Sequence, residues 1–107
     1  MNKIKILLIC GSGASTGFMA ANMRKAAKER GLEFIIEAHS EAEIENYADE
    51  TDFILLGPHL EYLEKGVEER LKECNITGVK VYVMKKSYYS TLDGGASIDD
   101  LIEHMNT

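Results

Sequence analysis

Short, near-continuous apolar runs alternate with longer amphipathic stretches from one end of the chain to the other. Ile4 to Ile9, Phe34 to Ile36, Phe53 to Leu56 and Val79 to Met84 are dense in aliphatic and aromatic residues and lack the strict in-out alternation of a half-exposed strand. Such runs predict strands covered on both faces, the usual condition in a parallel sheet. Between the first two, Met19, Met23, Ala26 and Ala27 fall at i, i+4, i+7 and i+8. That spacing predicts a helix, with Ser15 or Thr16 as its N-cap and Gly31 just past its end. Leu60, Leu63, Val67 and Leu71 predict a second helix after the third run. Ile98, Leu101, Ile102 and Met105 predict another after the fourth, with Ser97 and Asp100 at capping-box spacing. The segment Glu41 to Ala48 has Ala42, Ile44 and Tyr47 as its apolar anchors and predicts a short helix.

Strands that alternate with helices imply crossover connections, hence an α/β fold: a single-domain open sheet of four parallel strands spanning residues 1–107, with helices on both faces. In such sheets ligands bind at the carboxyl ends of the strands, beside the switch in strand order. The loops predicted there are Cys10 to Gly17, His39 to Glu41, Gly57 to His59 and Lys85 to Gly95.

Composition narrows the function. The chain has 107 residues, 45% of them hydrophobic and 28% charged, which is one ordinary globular domain rather than a disordered or fibrous chain. Twelve Lys and Arg stand against eighteen Asp and Glu, a net charge of −6. Nucleic-acid binding draws its affinity from Lys and Arg on phosphates, so this balance argues against it. The two cysteines, Cys10 and Cys74, are too few for a disulfide framework and lack metal-ligand spacing, which suits a reducing compartment and calls for no metal. No apolar run approaches the roughly 20 residues of a membrane span. Ile6 to Cys10, although preceded by Lys3 and Lys5, is also shorter than the roughly 7 to 15 apolar residues of a signal h-region.

The chemistry concentrates in the first loop. Cys10-Gly11-Ser12-Gly13-Ala14-Ser15-Thr16-Gly17 carries three glycines, three hydroxyls and no bulky side chain between a buried strand and a helix start. Glycines let successive N–H groups converge, and a helix start adds unsatisfied N–H groups and the positive end of its dipole. The stretch is therefore an anion cradle by composition. The same field lowers the pKa of a thiol, making Cys10 a competent nucleophile and the candidate catalytic residue. Gly11, Ser12, Gly13, Ala14, Ser15, Thr16 and Gly17 are the candidate phosphate-binding residues. Set against this is the plainer alternative that Cys10 is a small buried hydrophobe before a tight turn.

Other phosphate loops fit less well. A Walker A loop ends in Gly-Lys-Ser/Thr, and no lysine occurs between Lys5 and Lys25; a dinucleotide fingerprint would need its third glycine where Thr16 stands. A low-molecular-weight cysteine phosphatase or arsenate reductase-like enzyme is the serious rival, because it too opens its loop with cysteine after a strand. Its loop closes on an arginine that clamps the phosphoryl group, whereas here Thr16 and Gly17 occupy that place and the first arginine is Arg24.

With the loop followed by Met23-Arg24, by Leu55-Leu56-Gly57-Pro58 with Tyr62, and by Asp93-Gly94, nearly the whole chain resembles the enzyme IIB components of the lactose/cellobiose type in the bacterial sugar phosphotransferase system. The resemblance implies strand order 2-1-3-4 and transient phosphorylation of Cys10 by a histidine-phosphorylated IIA protein or domain. It further implies transfer to a disaccharide, cellobiose-like, held by the membrane-embedded IIC transporter. The chain would then be a cytoplasmic phosphotransferase that visits the inner face of the membrane through IIC, with no cofactor. The family more often carries glutamine after Gly-Pro, where this chain has His59, an accessory candidate for orienting phosphate or meeting a partner. His39 ends a predicted strand on the same side, His104 suits the last turn of a helix, and Cys74 and Asn75 are expected at a helix end. The cluster Lys85-Lys86-Ser87-Tyr88-Tyr89 is either partner-facing or a solvated loop.

Overall fold

A computed structural model describes residues 3–9 and 14–106, and of residues 14–16 the backbone alone. Its elements are β1 (Ile4–Ile9), α1 (Ala14–Glu29), β2 (Phe34–His39), α2 (Ile44–Tyr47) between two single 3-10 turns, β3 (Phe53–Leu56), a 3-10 segment (Pro58–Leu63) running into α3 (Glu64–Glu73), β4 (Lys80–Val83), α4 (Lys86–Tyr89) and α5 (Gly94–Met105). The strands form one sheet in the order β2-β1-β3-β4, every pair parallel.

The continuous apolar runs follow from the two-sided burial of the sheet. Ile6 and Leu8 of β1 and Phe53 and Leu55 of β3 face one core with Met19, Met23, Ile98 and Leu101, under α1 and α5. Leu7 and Ile9, with Ile54 and Leu56, face a second core with Ile44, Val67 and Leu71, under α2 and α3. Alternate residues of one strand thus enter opposite cores, so both sets are apolar.

Several local expectations change. α1 begins at Ala14, so Ser15 and Thr16 lie inside its first turn and neither is the N-cap. At its other end Gly31 takes φ 69 and the Leu32 N–H donates to the Ala27 carbonyl at 2.9 Å, the glycine-terminated helix end read from the sequence. α5 starts at Gly94 and is capped by Asp93, whose side chain accepts from the Ala96 N–H; Ser97 and Asp100 are buried within the helix and form no capping box. A capping-box exchange occurs instead at Ser40, whose N–H and hydroxyl both donate to Glu43 Oε1. The second predicted helix is divided, because after Pro58 the backbone leaves helical geometry at Leu60, which is buried, and α3 proper begins at Glu64.

One glycine is fixed by a close approach. A Cβ on Gly94 would stand 2.3 Å from the backbone carbon and oxygen of Asn22 in α1, whose side-chain amide donates to the Leu92 carbonyl at 2.8 Å. α1 and the start of α5 therefore meet backbone to backbone, with no flexible side chain able to move aside. Gly94→Ala is expected to lower the unfolding free energy by about 1–3 kcal/mol through overpacking. Denaturant unfolding checks this, and an unchanged midpoint would show that the two helices separate at no cost.

Candidate functional site

Strand register aligns the loops. Ile9 pairs with His39 in β2 and with Leu56 in β3, and Leu56 pairs with Val83 in β4, so all four strands end on one row. The ladder continues one step further, where the Gly57 N–H donates to the Ile9 carbonyl at 3.1 Å and the Met84 N–H to the Leu56 carbonyl at 2.8 Å. The chain entering residue 10 thus leaves from the middle of the sheet, beside the segment that begins Gly57-Pro58-His59.

Cys10, Gly11, Ser12 and Gly13 lie outside the described residues. What flanks them is described: a fully buried Ile9 on one side and, from Ala14, a sixteen-residue helix on the other. The first turn of α1 contains no acidic residue, so the positive end of its dipole is not offset by a carboxylate of its own. Gly17 is the fourth residue of α1, and a Cβ there would meet nothing within 4 Å, so steric need does not account for this glycine. Arg24, the first arginine after the loop, donates from Nε to the Ile36 carbonyl at 2.8 Å and so ties α1 to β2.

The three histidines separate. His39 stacks on Tyr47 with ring centroids 4.0 Å apart and lies 3.1 Å from Glu37 Oε1 and 3.6 Å from Glu43 Oε2. It is built into the α2 side of the fold. His104 stacks on Tyr82 at 3.7 Å, and its carbonyl accepts from Lys80, the residue that opens β4, which places it toward the amino ends of the strands. His59 alone of the three is exposed next to the row, with its ring centroid 5.9 Å from that of Tyr89. Pro58, His59, Lys86, Tyr89 and Ser90 line a concavity of about 290 Å³ between the loops after β3 and β4. Phe18 near the start of α1 and Tyr62 in the 3-10 segment are large apolar side chains that are 67% and 77% exposed.

Lys85 to Tyr89 is not the solvated loop that its composition suggests. Lys86 to Tyr89 form α4, and Tyr88 is buried, donating its phenol to Asp100 Oδ2 at 2.6 Å. Lys85 Nζ and His104 Nδ1 each lie 3.6 Å from Asp100 Oδ1, and Ser97 also hydrogen-bonds Tyr88. Sequence periodicity missed this network because Asp100 and Ser97 look like capping residues. The available signal was their place on the same face as Ile98 and Leu101. Cys74 ends α3 in an exposed position, with Asn75 at φ 58 after it as a left-handed helix end, away from the row. Among the described residues no group of three or more His, Cys, Asp or Glu is placed to hold a metal ion, and no helix is long and apolar enough to cross a membrane.

A four-stranded parallel sheet in the order β2-β1-β3-β4, covered by helices on both faces, is the frame of an open α/β protein whose strand ends lie on one row. The family described as PTS system, Lactose/Cellobiose specific IIB subunit matches residues 5–99. The chain is 37% identical over 94 residues to a PTS system galactose-specific EIIB component of Lactococcus lactis subsp. cremoris (strain MG1363), covering 83% of this chain and 84% of that one. It is 36% identical, with the same coverage, to a PTS system cellobiose-specific EIIB component of Lactococcus lactis subsp. lactis (strain IL1403). A PTS system lactose-specific EIICB component of Lacticaseibacillus casei is 24% identical over 103 residues, 95% of this chain but 17% of that longer protein. Among solved structures, the cellobiose-specific phosphotransferase IIB component of Borrelia burgdorferi superposes with a TM-score of 0.73 at 28% identity, covering 98% of this chain and 94% of that one. The chain belongs to the lactose/cellobiose-specific IIB subunits of the phosphotransferase system.

The buried tyrosines make the region beneath α4 sensitive to alkali. Burial first, then the neighbouring Tyr88 and Asp100, raises the Tyr82 phenol well above 10; burial first, then the hydrogen bond to Asp100, raises that of Tyr88. A folded-state pKa above the unfolded value gives stability that is complete below pH 10 and is lost as pH rises beyond it, at about 1.4 kcal/mol per pH unit for each group. Unfolding free energies measured between about pH 9 and about pH 11.5 should therefore fall less steeply in Tyr88→Phe than in the wild type. Equal slopes would mean that Tyr88 ionises freely in the folded protein.

Proposed function

We propose that this chain is a phosphoryl carrier of a sugar uptake system, one IIB domain over residues 1–107, in which Cys10 accepts phosphate from a histidine-phosphorylated IIA partner and passes it to a sugar held by a membrane IIC transporter. The observation that carries the reading is where the chain enters residue 10: from the central strand, beside Gly57, and immediately before a long helix with an uncharged first turn. Family membership supports the sugar phosphotransferase role, and the lactose-specific relative whose name joins IIC and IIB supports the link to IIC. The relatives named for galactose and for cellobiose are almost equally similar, so the acceptor is argued as a sugar of this group, with the cellobiose-like disaccharide as the working choice.

In the forward step the Cys10 thiolate attacks phosphorus in line with the P–N bond of phosphohistidine. The P–S bond forms, the P–N bond breaks, and the imidazole leaves with the electron pair and takes up a proton. In the second step a sugar hydroxyl attacks, its proton passing to solvent or a nearby base, and the thiolate departs. Backbone N–H groups of residues 11–17 hold the equatorial oxygens as charge spreads over them, with Ser12, Ser15 and Thr16 adding hydroxyl donors. His59 is the accessory group at the mouth. The engagement of Arg24 with the Ile36 carbonyl favours a carrier over the phosphatase or arsenate-reductase alternative, which needs an arginine in the loop. A cytoplasmic location, with transient contact at the inner membrane face through IIC, follows from the same assignment.

Incubation with phosphoenolpyruvate, the general phosphotransferase proteins and a IIA partner, followed by intact-mass measurement and peptide mapping, is expected to place one phosphoryl adduct on Cys10. Cys10→Ser should fold normally and lose both the adduct and sugar phosphorylation. An adduct elsewhere, or none with a folded protein, would move the assignment toward the hydrolase. Gly13→Val should block the adduct by obstructing N–H approach or demanding an unfavourable φ, and normal labelling of that variant would refute the cradle.

A further inference from the structure

We propose that the exposed face of α1 is a contact surface for anionic lipid headgroups, which turns the α1 side of the sheet toward the inner membrane face and the α2 and α3 side away from it. The carrier reading supplies the reason for a visit to the membrane. The contact itself is a property of the folded chain and needs neither a partner protein nor phosphate.

Charge is segregated across the sheet. Residues 14–30, which hold α1, carry four Lys and Arg against one Glu, whereas residues 41–73, which hold α2 and α3, carry three against eleven Asp and Glu. α1 covers one core and α2 with α3 the other, so the two segments lie on opposite faces. α5 shares the α1 side, but its Asp99 pairs with Arg30 and its Asp100 with Lys85. A chain of net charge −6 thus presents one positive helix backed by an acidic face. Beside an anionic surface, attraction at the helix and repulsion at the opposite face act in the same sense and select one orientation.

The pattern along α1 sharpens this. Met19, Met23, Ala26 and Ala27 are buried, while Phe18, Ala21, Lys25 and Lys28 are exposed. The exposed set falls at i, i+3, i+7 and i+10, one stripe along the outside of the helix. Arg24 is exposed beside it, with only its Nε bonded to Ile36. Glu29, the one carboxylate of the helix, lies at the end away from Phe18. An aromatic ring and basic residues on one helix face suit the plane of a bilayer surface, where lysine stems lie along the boundary and their ammonium groups meet phosphate. Lipid is favoured over the transporter as the counter-charge, because membrane proteins concentrate Lys and Arg in their cytoplasmic loops and would repel this stripe. Each basic group near an anionic leaflet is worth about a fivefold gain in partitioning, so Arg24, Lys25 and Lys28 give a contact that orients the chain and releases it readily.

The test is amide NMR of the reduced full chain with nanodiscs of phosphatidylglycerol and phosphatidylcholine carrying a gadolinium-chelating lipid, whose paramagnetism attenuates the amides nearest the bilayer. Amides of residues 18–28 are expected to lose intensity first and those of α3, residues 64–73, last. Discs of phosphatidylcholine alone should give no such pattern, and about 1 M salt should erase it, because the Debye length falls to about 3 Å. Lys25→Gln combined with Lys28→Gln should weaken the contact at least about tenfold. Lys25→Arg combined with Lys28→Arg should keep it. Both positions are exposed, and the spectrum recorded without discs verifies that each variant is folded. Equal attenuation with phosphatidylcholine, attenuation centred on α3, none with phosphatidylglycerol, or an unchanged response in the glutamine variant would each overturn the lipid contact. Phosphoryl labelling of Cys10, measured in solution without lipid, decides the carrier reading, so the two can fail independently.

Discussion

The candidate site depends on the double burial of β1. This strand is hydrogen-bonded to β2 along one edge and to β3 along the other, with Ile6 and Leu8 in one core and Leu7 and Ile9 in the other. Four constraints on six residues leave no freedom of register, because a slip of one would exchange the two cores. The end of β1 is therefore a fixed point. A nucleophile placed directly after it inherits that precision without needing side-chain scaffolding of its own, which suits a loop made of glycines and small hydroxyl residues.

The walls are fixed differently on each side. The β3 side is set by backbone, through the Ile9 to Gly57 bond and the stiff Pro58 that starts the 3-10 segment. The β4 side is set by a buried polar network in which Asp100 collects Tyr88, Lys85 and His104. A buried carboxylate is costly unless its oxygens are satisfied, and here each oxygen has a partner. Such a network specifies geometry more than it adds stability, and the geometry it specifies is the direction of α4. α5, which carries Asp100, is itself held against α1 at Gly94, so the helix that leaves the candidate loop and the helix that orients its far wall share one rigid contact.

The architecture was largely legible in the residues. Apolar runs without alternation gave four buried strands, and helical spacing located α1, α3 and α5, because both patterns report burial directly. Strand order came from the family resemblance, since periodicity does not encode which strands are neighbours. Boundaries read from polar residues were less secure. Ser15, Thr16, Ser97 and Asp100 all have N-cap chemistry, yet the first pair lies within a helix already begun and the second serves the interior. A hydroxyl or carboxylate looks the same in sequence whether it caps a backbone or completes a buried network. Tyr88 and Lys86 were visible as a basic and aromatic cluster, but which of them points inward is decided by contact with α5, a separation along the chain that no local pattern spans. His59 was separable from His39 and His104 only once Tyr47 and Tyr82 were seen to occupy the other two.

A chain of net charge −6 handling phosphoryl groups is not a contradiction, because the relevant field is local. At physiological ionic strength interactions between exposed charges fade over about 8 Å, so carboxylates on remote surfaces weigh little at the strand ends. Many of them are also committed: Glu41 and Glu45 pair with Arg70, Glu43 bonds Ser40, and Asp99 pairs with Arg30. Near the row stand the uncharged first turn of α1 and the exposed Lys86, while Lys85 pairs with Asp100. The acidic balance then has a use of its own. It offers little attraction for free polyanions. On the carrier reading, a phosphoryl group that is accepted from a protein and given to a sugar suits contacts strong enough to select it and few enough to release it.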